Sequence, residues 1–336
     1  MPFSLAETTW HKDGLNGTVQ VGWGTISGAR SDLVAAAGEK VFLFTPADQT
    51  YFLSSSVALG KRVLALAVGL PVSGSYHVVL GFEDTVKVYG WRAGELYALW
   101  ETESEPGARF VDLALADIDG DGKEEVIAAS ESKEALYIFR MPEGGMRLNL
   151  AAIRVLPGPA QKVTALALKG EQRPPVIAAA YRNNGASGLF LLTYTEMGFV
   201  EGPAMVNLST NVTSLTKGDL RTRPGEEIAW GGADGMLRVM EVNRQLESTL
   251  ISDNLGSVLP ALTSGRLWGE NSGTLIAGTP EGYLFGFKLP VEQKSPDWAV
   301  RINRPINDLA LSNEGLIGIG TADGGVQVWK VSTEMG

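Results

Sequence analysis

A chain of 336 residues with 41 glycines and 44% hydrophobic residues is long enough for a large globular core and too apolar to stay disordered. A formal charge of −10 offers no basic stripe for nucleic acid, and no apolar run approaches the roughly 18 residues of a membrane span. The absence of cysteine removes disulfides, thiolate metal sites and cysteine nucleophiles together.

The first residues, MPFSLAETTWHKD, have neither a basic start nor an apolar core, so no signal peptide is expected here. From there the chain repeats with a period of about 48 residues, the range that marks repeat architectures. Units begin near Val19, Val63, Val111, Val163, Val212, Val258 and Ile306. Each opens on an apolar run and continues through a Gly-containing turn into a second short run: DLVAAAG, HVVLGF, EVIAAS, PVIAAAY, EIAWGG, TLIAGT and GLIGIGT. A third, alternating run follows, as in KVFLFTP, ALYIFRM and GVQVWKV, and then a more polar fourth, as in TYFLSS and RLNLAAIRV. Alternation over four to eight residues between Gly, Asn and Asp turns reads as half-buried strands joined in hairpins. Four short strands repeated seven times predict an all-β fold, a seven-bladed β-propeller in a single domain over residues 1–336. The seventh unit has only three strands, and residues 2–10 have no unit of their own. The N-terminal strand is therefore expected to complete the last blade and close the ring, removing an exposed edge.

The third unit carries the one stretch that names a chemistry, ADIDGDGKEEVIAAS. Asp117, Asp119 and Asp121 alternate, Gly122 follows, and Glu125 comes shortly after. Carboxylates so close repel unless a cation neutralises them, and a hard cation such as Ca²⁺ takes several oxygens from alternate positions of a tight loop. Gly122 supplies the turn that returns the Lys123 carbonyl and the Glu125 carboxylate to the ion. The predicted metal set is therefore Asp117, Asp119, Asp121, Lys123 and Glu125. The flanking runs are β-like, and Ala128 stands where an EF-hand needs its bidentate glutamate. From Glu101 to Glu125 nine acids face only Arg109 and Lys123, a local excess that a divalent ion would offset.

This passage, VDLALADIDGDGKEEVIAAS followed by ALYIFRM, resembles the FG-GAP or VCBS repeat of integrin α-like propellers and bacterial surface proteins. The resemblance implies a Ca²⁺-binding loop between the first two strands of a blade, held by Asp117, Asp119, Asp121 and Glu125. It also points to a secreted or cell-surface setting. The fifth unit, GDLRTRPGEEIAWGG, keeps Asp219 and Glu227 at the outer positions but has Arg221 and Arg223 between them, where two guanidinium groups could replace the metal with internal ion pairs. The first unit keeps only Asp32, and the third-strand turns also look like those of WD-repeat and PQQ-type blades.

No catalytic constellation is found. His11 and His77, the two histidines, lie near no nucleophile elbow, and there is no HExxH, Walker or nucleotide fingerprint. Trp91, Trp100, Trp298 and Trp329 recur at equivalent strand positions and are expected to pack between blades, while Trp268 is the candidate for an exposed contact. The expected function is a non-enzymatic, calcium-stabilised, monomeric scaffold that binds a protein or an extended glycan. The loops at Tyr181–Gly188 and Arg301–Arg304 are the first places to look. The alternative is a carbohydrate-binding or polysaccharide-cleaving propeller using exposed Trp and Arg.

Overall fold

The computed structural model describes residues 4–333 except 29, 49, 73, 142–146, 168–174, 184–185, 196–197, 223–224, 243–244 and 270–271. Among the described residues twenty-eight strands form seven four-stranded antiparallel sheets. Six of the sheets take four consecutive strands in sequence order and the seventh joins the last three strands to the first of the chain, so each is one propeller blade. Blade 1 spans residues 19–58, blade 2 residues 65–101, blade 3 residues 110–155 and blade 4 residues 160–208. Blade 5 spans 212–251 and blade 6 spans 261–301. Blade 7 joins the strands Ile306–Leu311, Ile317–Thr321 and Val326–Thr333 to the N-terminal strand Ser4–Lys12. That strand runs antiparallel to Val326–Thr333, with Glu7 opposite Lys330 and Lys12 opposite Val326. The seven-bladed ring is thus closed by the N-terminal strand, as the orphan segment predicts.

The second strand of a blade is walled on both faces by its neighbours, which is why its residues are small and apolar. DLVAAA in blade 1 and EVIAAS in blade 3 are buried at every position. Seven apolar clusters fill the seven seams between consecutive blades. One joins Ile127, Leu136 and Ile138 of blade 3 to Val163, Ile177 and Leu192 of blade 4. Another joins Val19, Leu33 and Phe44 of blade 1 to Val326 and Val328 of blade 7, across the closure.

Among the described residues neighbouring blades share side-chain packing and scattered backbone bonds, such as Phe110 N to the Phe82 carbonyl at 3.0 Å, but no continuous backbone ladder. The innermost strands must therefore satisfy their remaining backbone groups in another way. Polar side chains do this. Gln20 Nε2 donates to the Leu64 carbonyl at 2.7 Å, and Ser214 Oγ to that of Leu259 at 2.6 Å. Asp112 Oδ2 accepts from Val163 N at 2.8 Å and Asp308 Oδ2 from Val21 N at 2.9 Å. Asp112 also lies 3.5 Å from Lys162 Nζ. Lys162 feels the charge of Asp308 as well, and blades 4 and 7 are not neighbours, so these groups meet across the central channel. Enclosure there pushes the Asp308 carboxyl up to about 6, partly offset by its bond from Val21 N and by the Lys162 charge.

Candidate calcium loop in blade 3

The loop between Phe110–Ala116 and Glu125–Ser130 is anchored by one apolar residue and one acid. Ile118 is fully buried in the seam with blade 4. Its N–H donates to Glu125 Oε2 at 3.0 Å, so the glutamate that opens the second strand caps the loop from below. Between them the chain turns through Gly120 and Gly122, at φ of 79° and 83°, a region that glycine enters without a Cβ penalty. Asp117 is held by two backbone donors, Gly120 N at 2.8 Å to Oδ1 and Gly122 N at 2.9 Å to Oδ2. Asp119 Oδ1 accepts from Asp121 N at 3.2 Å, and Asp121 Oδ1 from Lys123 N at 2.8 Å.

These constraints gather one carboxylate oxygen each from Asp117, Asp119 and Glu125 to within 4.8 Å of one another. Asp121, expected in the same set, is not in that group. It instead lines, with Asp119, Lys123, Glu125 and Arg140, a pocket of about 330 Å³ at the mouth of the loop. Glu125 is 2% exposed, and its carboxyl is pushed up to about 7, first by burial and then by the charges of Asp119 and Asp121. The bond from Ile118 N and the charge of Arg140 act in the opposite direction.

Arg140 is the residue that sequence reasoning missed. It ends the third strand of blade 3, Ala135–Arg140, and its Nη2 reaches Asp119 Oδ2 at 2.5 Å. Its Nε lies 3.9 Å from Glu125 Oε1 and is buried with no hydrogen-bond acceptor. On its other side the guanidinium carbon stands 5.6 Å from the centre of the Tyr194 ring of blade 4.

Blade 5 repeats the anchor and not the cage. Leu220 is fully buried, and Glu227 Oε2 accepts from Leu220 N at 2.7 Å and Arg221 N at 3.2 Å. Arg221 does not fill an ion's place between Asp219 and Glu227: its Nη1 donates to the Val291 carbonyl of the loop in blade 6. Arg223 lies outside the described residues. In blade 1 the fully buried Asp32 plays the anchor, accepting from Ser27 N at 2.6 Å and Ser27 Oγ at 2.8 Å. A second acid stitches the blades. Glu124 Oε2 accepts from Leu70 N of blade 2, and Glu226 Oε2 from Ala167 N of blade 4, each at 2.5 Å. Part of the acidity that looked like a demand for metal is therefore spent on backbone.

The remaining candidates divide cleanly. Trp298 and Trp329 are buried, and Trp91 and Trp100 pack partly buried against seams. His77 is buried beside Trp100, its Nδ1 2.7 Å from the Ser75 carbonyl, and burial lowers its pKa. Trp268 is 44% exposed, but Lys330 Nζ sits 4.6 Å from the centre of its ring. Arg304 is engaged by Asp13 and Asp323.

No family model matches the chain. No curated protein sequence matches it either. Solved structures match along nearly the whole length. BBS1N, crystallised in complex with ARL6DN and soaked with mercury, superposes at a TM-score of 0.73 with 13% identity, covering 98% of this chain and 97% of that one. The WD40 β-propeller domain of Doa1 superposes at 0.69 with 12% identity, covering 99% and 98%. At such identity the likeness is one of fold.

Proposed function

We propose that this protein is a non-enzymatic propeller scaffold, stabilised by one Ca²⁺ in the blade 3 loop, that docks a protein partner on its outer rim beside blade 3. The observation that carries the docking reading is a stripe on the outer strand of that blade, Asn149–Val155. A bulge at Ala151 brings Leu150 into step with Ile153 and Val155, so the three pair with Phe139, Tyr137 and Ala135 on one face. Those partners belong to the seam with blade 2, and Tyr97 of blade 2 stands exposed on the facing side. Val155 is 73% exposed and Leu150 52%. Apolar side chains aligned in water beside a free strand edge suit an extended protein segment, which gains both apolar contact and main-chain pairing. BBS1N, similar along its length, is itself seen in a protein complex, which is in keeping with this use of the ring.

The test is photo-cross-linking from Val155 in extracts of the native source, with Glu247 on the outer strand of blade 5 as the control position. The expected result is a protein captured from Val155 alone and lost when Ile153 and Val155 are both changed to lysine with the fold intact. Capture from both positions, insensitive to the lysines, would contradict the reading.

The donor set supports a hard cation. Asp117, Asp119 and Glu125 offer oxygens only, and Asp121 and the Lys123 carbonyl are close enough in sequence to complete the FG-GAP-like set. A dication would offset both the burial of Glu125 and the repulsion around it. The resemblance to surface repeats favours a protein working outside the cell or at its surface, and the reading takes the closed ring to act as a monomer. The carbohydrate alternative draws no support from Trp268, whose ring already carries a lysine ammonium.

A further inference from the structure

We infer that Arg140 is a tethered cation that occupies the blade 3 cage in place of Ca²⁺, so that the ion enters only by displacing it. The inference rests on the calcium reading of the loop and names what sets its affinity. Arg140 is the basic side chain placed on the cage: Nη2 contacts Asp119 at 2.5 Å, and Nε approaches Glu125 Oε1 at 3.9 Å, too far for a hydrogen bond. Glu125 is nine-tenths buried and its Oε1 makes no hydrogen bond among the described residues, while its Oε2 holds Ile118 N. The Nε of Arg140 is buried and equally without a partner.

A buried guanidinium nitrogen left without an acceptor marks an arrangement held by charge and not by completed bonding. An ion able to use the free oxygen gains what the guanidinium leaves unused. The arginine has somewhere to go. Its side chain is 39% exposed and already rests over the Tyr194 ring of blade 4, which can hold the guanidinium once its contact with Asp119 is broken. Exchange trades one positive charge for two in a cage of three carboxylates, which favours divalent over monovalent ions. It also moves a side chain at the seam between blades 3 and 4, so occupancy of the loop is transmitted to the neighbouring blade.

The test compares the wild type with Arg140→Gln by calorimetric titration of Ca²⁺ into chelator-treated protein, alongside the ¹⁵N resonance of the Arg140 side-chain Nε–H in the wild type. Removing the internal competitor should tighten the dissociation constant about tenfold, equivalent to about 1.4 kcal/mol. Arg140→Lys should fall between the two, and the Nε–H resonance should shift as Ca²⁺ saturates. Equal affinities with an unmoved resonance would overturn the inference while leaving the calcium site standing. No binding by either protein at millimolar Ca²⁺ would overturn both. If Arg140→Gln does not fold, the resonance of the wild type alone decides.

Discussion

Arg304 donates from Nη1 to Asp13 Oδ1 at 2.5 Å, joining the connection between blades 6 and 7 to the segment that follows the N-terminal strand. The same guanidinium grips Asp323 through Nε at 2.9 Å and Nη2 at 2.8 Å, and Leu15 N donates to the Gly324 carbonyl at 2.9 Å. The ring is therefore latched beside the strand pairing that closes it. Removing Met1 to Trp10 should leave Val326–Thr333 as an open apolar edge, and the truncated protein should aggregate or self-associate in light scattering. Arg304→Ala removes only a partly exposed latch and should cost about 1 kcal/mol in urea unfolding. A soluble, monomeric, equally stable truncation would show that closure does not depend on this strand.

In blade 6, Gly286 and Trp298 form a cross-strand pair with the indole laid over the glycine. A Cβ at Gly286 would stand 1.9 Å from Trp298 Cε2. Gly286→Ala should cost about 1–3 kcal/mol as overpacking, and Trp298→Ala about 3–5 kcal/mol as a lost core side chain. In the Trp298→Ala background the alanine should cost almost nothing, giving a large coupling in the double-mutant cycle. Additive costs would mean that the indole does not lie over the glycine.

The two acidic anchors should separate architecture from ion binding. Glu227→Ala strips the acceptor from Leu220 N and Arg221 N and should destabilise by about 1–3 kcal/mol, with or without Ca²⁺. Glu125→Ala should cost a similar amount in chelator and also abolish the stabilisation by Ca²⁺. The readout is the melting temperature of each variant in EGTA and in excess Ca²⁺.

Asp308 gives the channel a pH dependence with a definite sign. Its carboxyl titrates at about 6 in the folded ring against an ordinary 3.8, because enclosure disfavours its charge. A raised folded value means that the folded state favours the proton. The stability this group supplies is complete below about pH 4 and is lost as pH rises through about 6. The difference in melting temperature between wild type and Asp308→Asn should therefore shift against the wild type from pH 4 to pH 7. A difference that is flat over that range would show that Lys162 fully neutralises the site.

The strands were legible because what makes them is local. Alternation in KVFLFTP or GVQVWKV and the Gly-Asp turns between runs depend on neighbours in sequence, and the orphan segment at the N-terminus had one edge left to fill. The loop of blade 3 was legible for the same reason: Asp117, Asp119 and Glu125 lie close in sequence, and the chain need only turn at Gly120 and Gly122 to gather them. What stayed hidden depends on other strands and other blades. Arg140 meets Asp119 only because the third strand runs back past the loop, and nothing in ALYIFRM distinguishes it from a surface arginine. Arg221 is expected between two acids, but its guanidinium donates instead to the Val291 carbonyl of the next blade. The bulge at Ala151 that aligns Leu150 with Ile153 and Val155 leaves no mark on sequence alternation, and Asp112, Lys162 and Asp308 meet only when the ring closes.

Calcium titrated into chelator-treated protein, followed by calorimetry, tests the chemistry of this account most directly. One site per chain is predicted, lost in the Asp117→Asn, Asp119→Asn double variant and unaffected by Asp219→Asn in blade 5. A flat thermogram at millimolar Ca²⁺, or a second site removed by Asp219→Asn, would contradict it.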